Sequence, residues 1–258
     1  MRRASRSALH ALLIVCAATG PAAAAVHRRH FEPDDLELEQ PGILDLDFQA
    51  GPLHGDSGGK NRLLLPDFEI GMGLSKSVEI DVSGAFSVDE NRGEPHHVTA
   101  DPLWIASKLG LLDAKDDQGN VWAGGLELGP RLPILDAGGI GFGALALIGV
   151  THRGVTVVLN TGCLIDPGAD RFAEHPTGLV AGLDLNADLD SDGIWSLQGE
   201  VGASYYVTPD PHELSFTFGA TYAVTPRLDM SLTALGGVLP NTDHAGILLG
   251  VSPELGLW

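Results

Sequence analysis

Residues 177–189 read TGLVAGLDLNADL, and their alternation decides the fold. Leu179, Ala181, Leu183, Leu185, Ala187 and Leu189 share one parity, while Gly182, Asp184, Asn186 and Asp188 share the other. Side chains along a strand point to opposite faces with period two, so this segment has one apolar face and one carboxylate-lined face. Its length matters as well, because a tilted strand of about 9–11 residues spans the hydrocarbon core of a bilayer. Repeated apolar-out, polar-in strands of that length, separated by turns, predict an all-β, antiparallel up-and-down transmembrane β-barrel.

The same pattern recurs on both sides of this segment. Residues 43–50 set Leu44, Leu46 and Phe48 against Asp45, Asp47 and Gln49. Residues 65–74 set Phe68, Ile70 and Met72 against Asp67 and Glu69, and residues 78–88 set Val78, Ile80 and Val82 against Glu79 and Asp81. Residues 98–112 are expected as one strand with Trp104 and Lys108 inside, and residues 121–132 place Glu127 and Arg131 inside. Residues 139–150 oppose apolar side chains to a glycine-rich face. Further strands are expected near 155–165, 195–205, 214–224, 228–234 and 245–258, the first of them turning Thr156 and Asn160 inward and the second Glu200. With residues 177–189 the count is twelve, and an even count keeps both termini on one side. Short connections at 75–77, 152–154, 191–193 and 225–227 fall on the terminus side with a longer one at 113–120, and the long 51–61, 89–96 and 166–176 fall opposite with short ones at 133–138 and 239–243, so the asymmetry is partial. Short periplasmic turns and longer external loops are the asymmetry of bacterial outer-membrane barrels.

The bulk composition agrees. The chain has 258 residues, 34 glycines, 6% aromatics and a formal net charge of -19, enough length for one large all-β domain. The longest apolar run, residues 138–150, is broken by glycines and is shorter than the roughly 20 residues of a membrane helix. Residues 1–25 have the layout of a cleaved export signal: Arg2, Arg3 and Arg6, then an apolar stretch, then Ala23, Ala24 and Ala25. Losing those three arginines takes the formal charge from -19 to -22. Cys16 falls within the discarded segment, and Val15 before it is too bulky for a lipid-attachment motif. Cys163 is then the one cysteine left, so the fold has no internal disulfide to rely on. Residues 26–41 form a charged leader with two alternatives, a free periplasmic segment or a plug in the lumen.

The inward side chains are the candidate functional residues. Asp45, Asp47, Glu69, Glu79, Asp81, Glu127, Asp184, Asp188 and Glu200 are expected to line the lumen, with Lys108 and Arg131 as inward cations. Such a wall attracts cations and repels anions within a Debye length of about 8 Å. The bland alternative is that these carboxylates only keep the interior wet, with Lys108 neutralising Glu79 or Asp81. The tract from Asp188 to Gly193 starts like a calcium loop, but its twelfth position is Gly199, and Asp-Gly favours a hairpin turn by itself. Gly139, Gly141 and Gly143 lack the spacing and the following helix of a phosphate loop, and inward glycines are expected to make room for the leader or for bulky side chains. His96 and His97 beside Glu94 are read as a polar external loop rather than a metal site. Serines are scattered, His152 lies at a turn and His212 in a loop, so no Ser/His/acid set emerges and no catalysis, cofactor or metal is expected.

Residues 30–38 (HFEPDDLEL), 41–51 (PGILDLDFQAG), 64–69 (LLPDFE) and 77–81 (SVEID) resemble the bacterial outer-membrane transporter family associated with the phenol meta-cleavage (MetA) degradation pathway. The resemblance is densest in the first third of the mature chain, and its motifs are barrel-strand patterns. It implies an outer-membrane location and uptake of small aromatic compounds, and it carries over no catalytic residues. The expected partners are outer-membrane lipids, small-molecule solutes and the barrel-assembly machinery, with no nucleic acid. The chain ends on an aromatic, Trp258, whose parity opposes that of Ile247, Leu249, Val251, Leu255 and Leu257. Either a bulge near Pro253 restores the phase or Trp258 faces inward. Three functions remain open: a passive channel, a closed structural or surface-adhesive barrel, and a soluble secreted β-sandwich. The last is disfavoured because sandwich strands are usually nearer 5–6 residues.

Overall fold

The computed structural model describes residues 38–55, 61–90, 97–135, 139–167, 177–207, 212–239 and 243–258. The expected export signal, residues 26–37 of the leader and His96 lie outside the described residues. The strands are β1 (Ile43–His54), β2 (Asn61–Ser75), β3 (Val78–Glu90), β4 (His97–Ala100), β5 (Leu103–Lys115), β6 (Val121–Leu132), β7 (Gly141–His152), β8 (Val155–Ile165), β9 (Thr177–Asp188), β10 (Trp195–Tyr206), β11 (Glu213–Thr225), β12 (Leu228–Gly237) and β13 (Ala245–Gly256). Consecutive strands pair antiparallel from β5 to β13, β13 pairs with β1, and β1–β2–β3–β5 completes the ring.

The single strand expected over residues 98–112 is two segments. β4 pairs with β3 at Phe86–Asp89 and β5 pairs with it at Val78–Ser83, so both belong to one stave. The break falls at Asp101 and Pro102, where proline has no N–H for the ladder. The Asp101 N–H donates to the Ala85 carbonyl at 2.9 Å and holds the stave in line. Counted as staves, the barrel is a closed antiparallel ring of twelve.

The barrel is apolar outside and polar inside. On the outer face Leu126, Ile148, Leu159, Leu183, Val201 and Leu249 are 36–65% exposed. On the inner face Asn160, Asp184, Asn186, Ser196 and Glu200 are at most 4% exposed. A water-soluble domain has the reverse distribution, and a continuous apolar belt around a closed sheet is the surface that lipid covers. Aromatics mark both ends of the belt. Trp122, Trp195 and Tyr222 lie at the end that holds the termini, with Trp195 directly opposite Tyr222 and their rings 4.6 Å apart. Phe142 and Tyr205 lie at the other end. The β7–β8 turn is a two-residue hairpin in which Arg153 and Gly154 both have positive φ, the geometry that matches strand twist.

Trp258 follows neither expected course. β13 keeps one register against both β1 and β12 with no bulge at Pro253, and it ends at Gly256. Trp258 lies past the strand and is 78% exposed. Its indole sits beside Gly42, where a Cβ would come within 2.7 Å of Nε1, and Gly42 has a φ of 83°. The Leu257 N–H donates to the Gly42 carbonyl at 2.8 Å, which fastens the two ends of the barrel sequence together.

Candidate functional site

The inner wall gathers most of the expected residues. Asp45, Asp47, Glu79, Asp81, Glu127, Asp184 and Glu200 all point inward and are 4–6% exposed. Lys108 and Arg131 are equally buried, at 5% and 7%. Glu69 is half-buried, and Asp188 is exposed at the terminus-side rim, its carboxylate close to Gly154. Asp229 of β12, also 4% exposed, joins the set; the alternation of residues 228–234 turns it inward, although it is not among the candidate lining residues. These side chains are covered rather than washed by water, so any charge they carry depends on the groups beside them.

Register supplies those neighbours. Lys108 lies opposite Glu79 on β3 and opposite Glu127 on β6. It therefore stands between two carboxylates on adjacent strands, whereas sequence reasoning offered only Glu79 or Asp81. Glu200 accepts from the Thr217 hydroxyl at 3.0 Å and from Gln198 Nε2 at 3.2 Å, and it faces Asp184 across β9–β10. Asp47 faces Glu69 across β1–β2. The carboxylates thus concentrate on β1–β3 and β9–β10.

Two apolar patches share the wall. Leu53, Leu64, Ala85, Leu235 and Leu248 cluster inside the end opposite the termini. Trp104, Ala106, Leu145 and Leu147 form a second cluster, with Val180 packed against it. These inward leucines were missed because the alternation was read for its polar members. Gly143 fits the expectation of glycine beside a bulky ring: a Cβ there would come within 3.0 Å of the Trp104 indole.

The end of the leader enters the barrel. The Glu39 N–H donates to Glu79 Oε2. Leu38 packs where a Cβ on inward Gly110 would be, within 2.7 Å of Leu38 Cδ1, and the Glu39 and Gln40 carbonyls lie over Gly73. Among the described residues, the glycines that accommodate the end of the leader are Gly73 and Gly110 of β2 and β5.

Two turn aspartates outside the membrane span have structural tasks. Asp190 accepts backbone N–H groups from Ile194, Trp195 and Asp192, the Ile194 contact being the largest cause of its lowered pKa. The calcium-like tract is therefore a hairpin whose second carboxylate, Asp190, is engaged by the backbone. Asp116 is lowered in the same sense, chiefly by Asn120, whose side-chain amide and backbone N–H both reach it. Among the described residues no group of three or more His, Cys, Asp or Glu side chains is placed to hold a metal. The His97 side chain lies outside the described structure, and His152 is exposed at its turn.

No protein-family model matches the chain, and no curated protein matches it. Solved structures do. An outer-membrane channel from Pseudomonas putida F1 superposes with a TM-score of 0.63 at 11% identity, over 88% of this chain and all of that one. The NanC porin superposes with a TM-score of 0.56 at 11% identity, over 81% of this chain and all of that one. At such identity the likeness is one of fold, and the fold is that of outer-membrane β-barrels.

Proposed function

We propose that this chain is an outer-membrane channel for small solutes whose carboxylate-rich inner wall favours cations and neutral molecules over anions. The observation that carries it is the placement of Asp45, Asp47, Glu79, Asp81, Asp184 and Glu200 on the inside of a closed barrel whose outside is apolar. A barrel needs outward apolar residues to sit in lipid, but ionised groups inside are useful chiefly where ions or polar solutes pass. The two fold relatives named above are themselves a channel and a porin, which supports the reading. Small aromatic compounds are the substrate class suggested by the resemblance in residues 30–81, and the inward Trp104–Leu145–Leu147 patch is compatible with them. Residues 26–41 serve as a plug, supported by the seating of Leu38–Gln40 against Gly73, Gly110 and Glu79.

A closed structural or surface-adhesive barrel is favoured by one specific observation, the low exposure of the inner side chains. Reversal potentials across a salt gradient in planar bilayers separate the two. The channel gives a cation-selective potential that shrinks when Asp47→Asn and Glu69→Gln are combined. Glu127 and Glu200 are left in place, because Glu127 lies opposite Lys108 and Glu200 accepts from the Thr217 hydroxyl. An unchanged potential removes these residues from the filter, and absence of current favours the closed barrel.

A further inference from the structure

The rim opposite the termini holds a side-chain cluster that conduction through an acidic wall does not use. Arg131, next to last in β6, points inward and lies opposite Gly141 of β7. From there Arg131 reaches past β7 to Asp166, the first residue after β8. Arg131 Nε lies 2.8 Å from Asp166 Oδ1, with the two side chains 8% and 17% exposed. A Cβ at Gly141 would come within 2.9 Å of the Asp166 carbonyl carbon and of Pro167 N.

The same carboxylate is held from the far side. Tyr206, the last residue of β10, donates its hydroxyl to Asp166 Oδ2 at 3.4 Å. It leans over β9 at Gly178, where a Cβ would come within 3.2 Å of the tyrosine ring. Beneath Arg131 lies Trp104 of β5, its ring centre 5.9 Å from the guanidinium and its Nε1–H donating to the Gly129 carbonyl at 3.2 Å. One carboxylate thus joins β6 to β10, with Gly178 of β9 under the tyrosine ring and Gly141 of β7 making room for the backbone of residues 165–167. A partly buried ion pair of this kind is screened far less than an exposed one.

We propose that Arg131, Asp166 and Tyr206 form a clasp that closes this arc of the external rim, and that a molecule coming from outside reaches the inner wall beneath the arc only when the clasp opens. The external side is assigned from the short turns at the terminus end. Entry control by a rim clasp goes beyond the selectivity of the wall below it, and it is tested without any need for current. Leu164 lies two residues before Asp166 on the same inward face and is 4% exposed. Leu164→Cys is introduced together with Cys163→Ser, which removes the exposed native thiol. Intact cells or oriented vesicles are then treated from outside with a membrane-impermeant maleimide, and heat-modifiable gel mobility verifies that each variant is folded.

With the clasp intact, labelling at position 164 is slow. Adding Arg131→Gln or Asp166→Asn raises the rate by about tenfold, the effect expected of losing one partly buried ion pair. Exchanging the charges, Arg131→Asp with Asp166→Arg, returns the rate towards that of the parent. A rate unchanged by both single variants in folded protein overturns the clasp. Absence of current in bilayers, by contrast, speaks against the channel and leaves the clasp to the labelling rate.

Discussion

Leu183 gives the sharpest test of which face meets lipid. It is the seventh of the twelve residues of β9, points outward at 46% exposure, and is flanked by Leu159 on β8 and Val201 on β10. A position at mid-strand lies near the bilayer midplane, so Leu183→Arg is expected to destabilise the barrel by about 2–4 kcal/mol. Leu179, two outward positions nearer the rim and 58% exposed, is expected to lose only about 0–1 kcal/mol on the same substitution, because the arginine reaches the headgroups. Asp184 lies one residue away on the opposite face, directly across from Glu200. Asp184→Asn is expected to change stability by less than about 1 kcal/mol, since it relieves a like-charge pair. Equilibrium denaturant unfolding in lipid vesicles, followed by the fluorescence of the four tryptophans, measures all three against the parent protein. Equal losses at positions 183 and 179 would refute the depth assignment. A loss at Asp184→Asn matching that at Leu183→Arg would refute the facing.

Lys108→Met leaves Glu79 and Glu127 buried with their shared cation gone, and the expected loss is about 3–5 kcal/mol in the same unfolding assay. Gly143→Val pushes on the Trp104 ring and is expected to destabilise by about 1–3 kcal/mol with a shifted tryptophan emission. Asp190→Ala removes the acceptor for three backbone N–H groups, so amide exchange across the β9–β10 turn should quicken at neutral pH. The folded pKa of Asp190 is lowered, so its contribution is present above the unfolded value of about 3.9 and is lost as pH falls through the folded value. The difference between parent and variant should therefore vanish in acid.

Period-two contrast explains what was legible. In β9, Leu183 and Leu185 alternate with Asp184 and Asn186, and the facing follows from the sequence without tertiary information. In β7 the residues GFGALALIGV carry no polar marker, so the inward Leu145 and Leu147 do not stand out from the outward Phe142 and Ile148. The partners of Lys108 depend on the register of β5 against both β3 and β6, and one strand's pattern does not contain that register. β5 adds a bulge between Gly110 and Leu112, which leaves Leu111 and Leu112 both exposed. Asp166 falls just after a strand, where alternation ends, so nothing in the local pattern connects it to Arg131 or Tyr206.

Single-channel recording of the purified mature protein in planar bilayers, beside a form lacking residues 26–41, tests the proposed channel most directly. The account predicts discrete cation-selective steps from the mature protein and larger steps once the segment seated against Gly73, Gly110 and Glu79 is gone. Silence from both forms, with the barrel shown to be folded by heat-modifiable mobility, would contradict it.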